Sequence, residues 1–238
     1  MSQPPAGPHH PAGALAGALA TLAGTPDDNV GIDAQLVLIV RLAADLVEPV
    51  SYASVTAEGA GPPTTVAASS QLALDVDAAQ YADSSGPCLD ALRDAKAVEV
   101  PDIGAVMAWP QFRDVAWNLG LRASLSIPLF AGSGVPVAAL NLYAHDPEPM
   151  TELTRHVRAL YDGEPGDHGH ETRPGCAQLL AGIATALHTR DLIQQAIGVV
   201  MARDHVAADT AYLTLRVRAA EIGKSLPDVA VEVTRPPA

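Results

Sequence analysis

Three groups of side chains in this chain have the types and spacing to do chemistry. The first is a thiol, Cys88, in the run "GPC". A cysteine is a nucleophile where a cation, a histidine or a helix N-terminus holds its thiolate. "LDALRDA" reads as a helix beginning just after Cys88, which offers one of these. The only other cysteine, Cys176, lies far along the chain, and the sequence favours a buried Cys88 lining a sheet. The second group is "HGHE" (168–171), with the pair His9 and His10 near the start. A zinc site needs four ligands in fixed geometry. "HGHE" sits in a run of Gly, Pro and charge without further ligands, so it reads as a solvated turn, and neither a metal nor another cofactor is expected. The third group lies near the end: Arg190, Arg203, Arg216, Arg218 and Lys224, with Gln194, Gln195 and Tyr212 among them. Such cations can hold phosphates, and an aromatic ring can stack on a base. Spacing alone is met equally by a solvated rim around a small helical bundle.

Charge separates this last group from the rest. The formal net charge is −13, with 8 Lys and Arg against 21 Asp and Glu in residues 1–187, and 6 against 6 in residues 188–238. The acidity lies upstream, and the neutral tail permits a polyanionic partner without demanding one. Hydrophobic residues make up 48% and aromatic residues 4%, so the core must be built mainly from Ala, Val, Leu and Ile. Two cysteines do not make a disulfide framework and point to a reducing compartment. The apolar run "AGALAGALATLAG" (12–24) has no Lys or Arg before it, unlike a secretory signal. No run approaches the ~18 apolar residues of a membrane span. The expected address is cytoplasmic.

Periodicity supplies the elements that must position these groups. Residues 1–28, rich in Pro, Gly, Ala and His, read as a mostly disordered tail with room for a frayed helix. Apolar residues from Ile32 to Leu46 recur at helical spacing. "SYASVTA" (51–57) and "TTVAASS" (64–70) alternate as strands, followed by helical character through residue 95 and a short strand at 97–102. "PQFRDVAWNLG" (110–120) has Pro110 for a first helical turn and Gly120 for a C-terminal cap. "RASLSIPLF" and "VPVAALNLYA", joined by "AGSG", form an antiparallel hairpin. This order predicts an α+β domain over 29–162, with helices around an antiparallel sheet. A linker at 163–175 follows, then a helical domain at 176–238. In that domain Tyr212, Leu215, Ala219 and Ile222 make one stripe, with Asp209 as its N-cap and Gly223 past its end. "SLPD" (225–228) has the spacing of a capping box. So small a unit holds little core of its own and should lean on a second copy or on the preceding helix.

The segment "HTRDLIQQAIGVVMARDHVAADTAYLTLRVRAAEIGKSLPDVAVEV" closely resembles the ANTAR domain, a three-helix RNA-binding module of transcription antitermination regulators. The matching positions include Arg190, Ile193, Gln195, Ala196, Gly198, Met201, Ala211, Tyr212, Leu215, Arg216, Ala219, Leu226, Val229 and Ala230. One position departs: Ile197 stands where many family members carry a lysine. "SSGPCLDALRDAKAVEVPDI", "WPQFRDVAWNLGLRASLSIPL" and "VAALNLYA" look like a GAF domain of the kind that precedes ANTAR in actinobacterial regulators. The resemblance implies a sensor domain that binds a small ligand or dimerises, through a six-stranded sheet flanked by helices.

Together they imply a signal-responsive antitermination regulator, not an enzyme, that binds paired hexaloop RNA hairpins as a homodimer. Arg190, Arg203, Arg216, Arg218 and Lys224 would hold phosphates, with Gln194, Gln195 and Tyr212 nearer the bases. Ile193, Ile197, Gly198 and Met201 would serve dimer or helix packing, Gly198 by letting a neighbour approach closely. The alternative is a protein-interaction regulator whose GAF domain dimerises or docks a partner, with little RNA binding. DNA binding fares worse, because the helix carrying Arg216 and Arg218 also carries Asp209 and Glu221.

Overall fold

The computed structural model describes residues 10–28, 30–57, 61–163 and 173–235. "HGHE" and His9 lie outside the described residues, while His10 sits 3.2 Å from Asp45. Period-two alternation writes the sheet. Strands β1 (Tyr52–Ala57), β2 (Thr64–Ala68), β3 (Val98–Val100), β4 (Ala123–Phe130) and β5 (Pro136–Ala144) pair antiparallel in the order β2-β1-β5-β4-β3. Among the described residues this is one strand fewer than the resemblance implied. Around the sheet lie α1 (Ala14–Ala23), α2 (Ile32–Leu46), α3 (Gln71–Ala82), α4 (Pro87–Asp94), α5 (Pro110–Asn118) and α6 (Pro147–Asp162). Three further helices close the chain: α7 (Pro174–Asp204), α8 (Ala208–Ile222) and α9 (Leu226–Thr234). The architecture is α+β, as the pattern of elements predicts.

One sheet face is apolar. Ala53, Val55, Leu125, Ile127, Leu140 and Leu142 pack there against α1, α2, α6 and the first half of α7. Two expectations change here. Residues 14–23, read as a disordered tail with at most a frayed helix, form the packed helix α1, because Leu15, Leu19 and Leu22 make a stripe that is wholly buried. Gly182 of α7 lets that helix in: a Cβ there would sit 2.6 Å from Leu19 Cδ1 and 2.9 Å from the Cα of Ala16. The expected boundary at residue 176 also shifts. Cys176, Leu179, Leu180 and Ile183 belong to the sheet's core, so α7 starts inside one unit and ends inside another.

The other face is polar yet buried. Ser54, Thr56, Ser124, Ser126, Asn141 and Tyr143 alternate with the apolar set and are covered by α3, α4 and α5. Register aligns them, with Ser54 and Ser126 flanking Asn141 from either side. Asp77 of α3 stands among them. Tyr143 Oη donates to its Oδ1 at 2.6 Å, Thr65 Oγ1 to its Oδ2 at 2.9 Å, and Asn141 Nδ2 to Oδ1 at 3.3 Å. Burial nevertheless dominates and pushes the Asp77 carboxyl up to about 6. Cys88 is buried beside this cluster, its backbone N–H donating to Gln80 Oε1 at 2.9 Å. Burial first, and the charge of Asp77 second, push its thiol up to about 12, far from a reactive thiolate.

The raised carboxyl fixes the sign of a pH effect. Between the unfolded value near 4 and the folded value near 6, the folded state binds the extra proton. Stability therefore falls as pH rises through that window, and the cost is complete above it. We expect wild-type protein to lose on the order of 3 kcal/mol between pH 4 and pH 7 relative to Asp77→Asn, measured by urea unfolding. Parallel pH profiles for the two proteins would show that Asp77 ionises freely.

Candidate nucleic-acid interface

The second half of α7, with α8 and α9, folds around a small core of its own. Ile193, Ala196, Ile197 and Val200 of α7 meet Ala211, Leu215 and Ala219 of α8 and Leu226, Val229 and Ala230 of α9. Sharp turns separate the helices. His205 ends α7 in the left-handed region (φ 55°), and Gly223 ends α8 there (φ 65°). Ser225 caps α9, its Oγ accepting from the Asp228 N–H at 3.2 Å and donating to Asp228 Oδ2 at 2.6 Å. Two details differ from expectation. Ala207, not Asp209, is the N-cap of α8, and Asp209 lies in the first turn, where its charge suits the helix dipole. Ile222, placed on the apolar stripe, is 46% exposed in the last turn.

The candidate contact residues fall into separate places. Arg203, Arg218, Lys224 and Gln195 are exposed. Arg203 pairs with its neighbour Asp204 at 2.7 Å, while Arg218 and Lys224 share Glu232, the former at 3.6 Å. Exposed pairs of this kind contribute about 0–1 kcal/mol, so an incoming phosphate can displace them. Ile193 and Ile197 are buried in the small core. At Ile197, the position that departs from the resemblance, the chain packs an apolar side chain into its own bundle. Gly198 and Met201 are exposed, and a Cβ on Gly198 would meet nothing within 4 Å.

The remaining four point at the α+β unit. On α7, Arg190 Nε donates to the carbonyl of Gly134 at 2.9 Å, with its guanidinium 4.3 Å from the Phe130 ring centroid, and Gln194 Nε2 donates to the carbonyl of Ser133. On α8, Tyr212 Oη accepts from the Asp27 N–H at 3.4 Å, and Arg216 grips both carboxylate oxygens of Asp28 at 2.6 and 2.7 Å. Arg216 holds the Asp28 carboxyl below its ordinary range, while burial and the charge of Asp27 push the Tyr212 hydroxyl up to about 12. The partners are residues 131–135, between β4 and β5, and residues 24–28, after α1. Sequence reading treated the glycines of "AGSG" as turn formers only. A Cβ on Gly132 would lie 2.6 Å from Tyr212 Oη, and one on Gly134 2.5 Å from Gln194 Nε2, so both also permit close approach.

Comparison with known families agrees with this division. A GAF domain model matches residues 32–162, and an ANTAR domain model matches residues 181–233. Comparison with curated proteins returns no significant match. Both matched families are regulatory rather than enzymatic, and the ANTAR domain is an RNA-binding one. Among the described residues no helix is long and apolar enough to cross a membrane, and no group of three or more His, Cys, Asp or Glu is placed to hold a metal.

Because Gly198 faces open space in the single chain, Gly198→Ala should stabilise α7 by roughly 0.5–1 kcal/mol through helix propensity. Thermal unfolding reads this directly. A loss of stability would mean that a neighbour packs closely against this glycine in solution.

Proposed function

We propose, since the chain belongs to the GAF-domain family and carries an ANTAR domain at its C-terminal end, that it is a cytoplasmic, signal-responsive transcription antitermination regulator acting on RNA hairpins. The observation carrying this reading is the ANTAR match over a bundle with its own core and a rim of displaceable cations. Arg203, Arg218 and Lys224 hold phosphates on that rim, beside Gln195. Arg190, Gln194, Tyr212 and Arg216 complete the contact once they face RNA. Two copies form a homodimer that takes the two hairpins of a leader transcript. The GAF unit binds a small polar ligand and has no catalytic role. Its buried polar face supports that choice, because Ser124 Oγ, Ser126 Oγ and Asn141 Oδ1 have no hydrogen-bond partner there.

A second reading, docking of a protein partner, is favoured by Leu213 and Val217, exposed one turn apart on α8. The two readings separate on salt. Arg218→Ala and Lys224→Ala should each weaken binding to a paired hexaloop RNA by about threefold to tenfold and lower the salt slope by about one. Titration of the full-length protein at two salt concentrations measures both. Unchanged affinity and slope in both variants would remove the rim from the RNA contact.

A further inference from the structure

Four side chains assigned to RNA are occupied by the chain's own sensor unit. Arg190 and Gln194 lie one turn apart on α7, and Tyr212 and Arg216 one turn apart on α8, so each helix offers a single face. Both faces converge on the β4–β5 turn and the turn after α1. These two turns are braced to each other: the Gly132 N–H donates to the Thr25 carbonyl at 2.8 Å, and the Ser133 N–H to Asp27 Oδ1 at 2.9 Å. Asp28 gives Arg216 two carboxylate oxygens, the pattern that a phosphate would offer.

We propose that the β4–β5 turn and the turn after α1 form an autoinhibitory latch, which holds Arg190, Gln194, Tyr212 and Arg216 so that RNA and the sensor unit compete for them. The inference rests on the RNA-binding reading above. The latch is incomplete. Arg216 Nε is buried without a partner, and a buried donor left unmade favours any state that satisfies it. The signal has a direct route to the latch. Strands β4 and β5 carry Ser124, Ser126, Asn141 and Tyr143 into the polar interior, and the turn joining the same two strands bonds α7 through Gly134 and Ser133 and lies against Tyr212 of α8 at Gly132. A ligand that shifts these strands shifts the turn.

Gly132 allows a charge-neutral test. Its backbone is not left-handed, so alanine is tolerated there, but the added Cβ would collide with Tyr212 Oη at 2.6 Å and Leu226 Cδ2 at 2.9 Å. Full-length wild type, Gly132→Ala and Asp28→Asn are titrated with a paired hexaloop RNA at two salt concentrations. Both variants should bind about fivefold or more tightly than wild type. Asp28→Asn should also steepen the salt slope by about one, as Arg216 turns to phosphate. Wild type and Gly132→Ala binding equally well would leave the RNA reading standing and overturn the latch. Tighter binding by Asp28→Asn alone would mark a bulk-charge effect and overturn it too. If none of the three binds RNA, the RNA reading itself falls, and with it any latch over it.

Discussion

One helix belongs to two hydrophobic cores, and the rest of the structure depends on that sharing. The first half of α7 is packed under α1 against the sheet, where Leu179, Leu180 and Ile183 join the sensor's core. Its second half supplies Ile193, Ala196, Ile197 and Val200 to the ANTAR bundle. At about 1.5 Å per residue, 31 helical residues make a rod of roughly 46 Å. Neither unit can turn far about the other while the rod is intact. Residues 32–162 match one family and residues 181–233 the other, yet the packing that joins them runs through α1 and the start of α7, outside or at the edge of both matches. The contact between the rod and α1 is as close as it is because residue 182 has no side chain.

A fixed rod sets the bundle against the sensor at a second place, and there the chemistry changes from apolar to polar. The contact, at the β4–β5 turn and the turn after α1, is made of backbone carbonyls, the Asp27 N–H, the Asp28 carboxylate and four polar side chains. Hydrogen bonds and exposed ion pairs exchange readily with water or with a competing ligand, whereas a buried leucine stripe does not. The molecule thus has one permanent joint and one exchangeable joint. Motion consistent with this arrangement opens the polar contact and leaves the apolar one closed.

Much of this was legible in the sequence. The strand alternation of β1, β4 and β5, the Pro110 start of α5 and the Ser225 cap of α9 are local rules, satisfied by residues close in the chain. Ile193 lies on the apolar face that helical spacing marked, and Cys88 is buried, as expected of a cysteine without a partner to activate it. What escaped was long-range. The "AGALAGALATLAG" run has weak polarity contrast, and only the stripe of Leu15, Leu19 and Leu22 against a helix more than 150 residues away makes it an ordered element. The same holds for Gly132 and Gly134, which local rules assign to a turn, and for Asp27 and Asp28, which read as loop acids until Ser133, Tyr212 and Arg216 are placed beside them. The polar sheet face was written in the alternation of Ser124, Ser126 and Asn141, but nothing local says that helices cover it.

The net charge of −13 looks adverse to RNA, yet the geometry reduces the objection to two residues. At physiological ionic strength the Debye length is about 8 Å, so most of the sensor's acids act weakly on a bundle whose own charges balance. Asp27 and Asp28 differ because they are in contact with it, Asp28 at 2.6 Å from the Arg216 guanidinium. A carboxylate at that distance competes with a phosphate directly, through the same donors, whatever the total charge. The acidity in contact with the bundle is therefore local, in the turn after α1, and an acidic GAF unit is compatible with an RNA-binding tail.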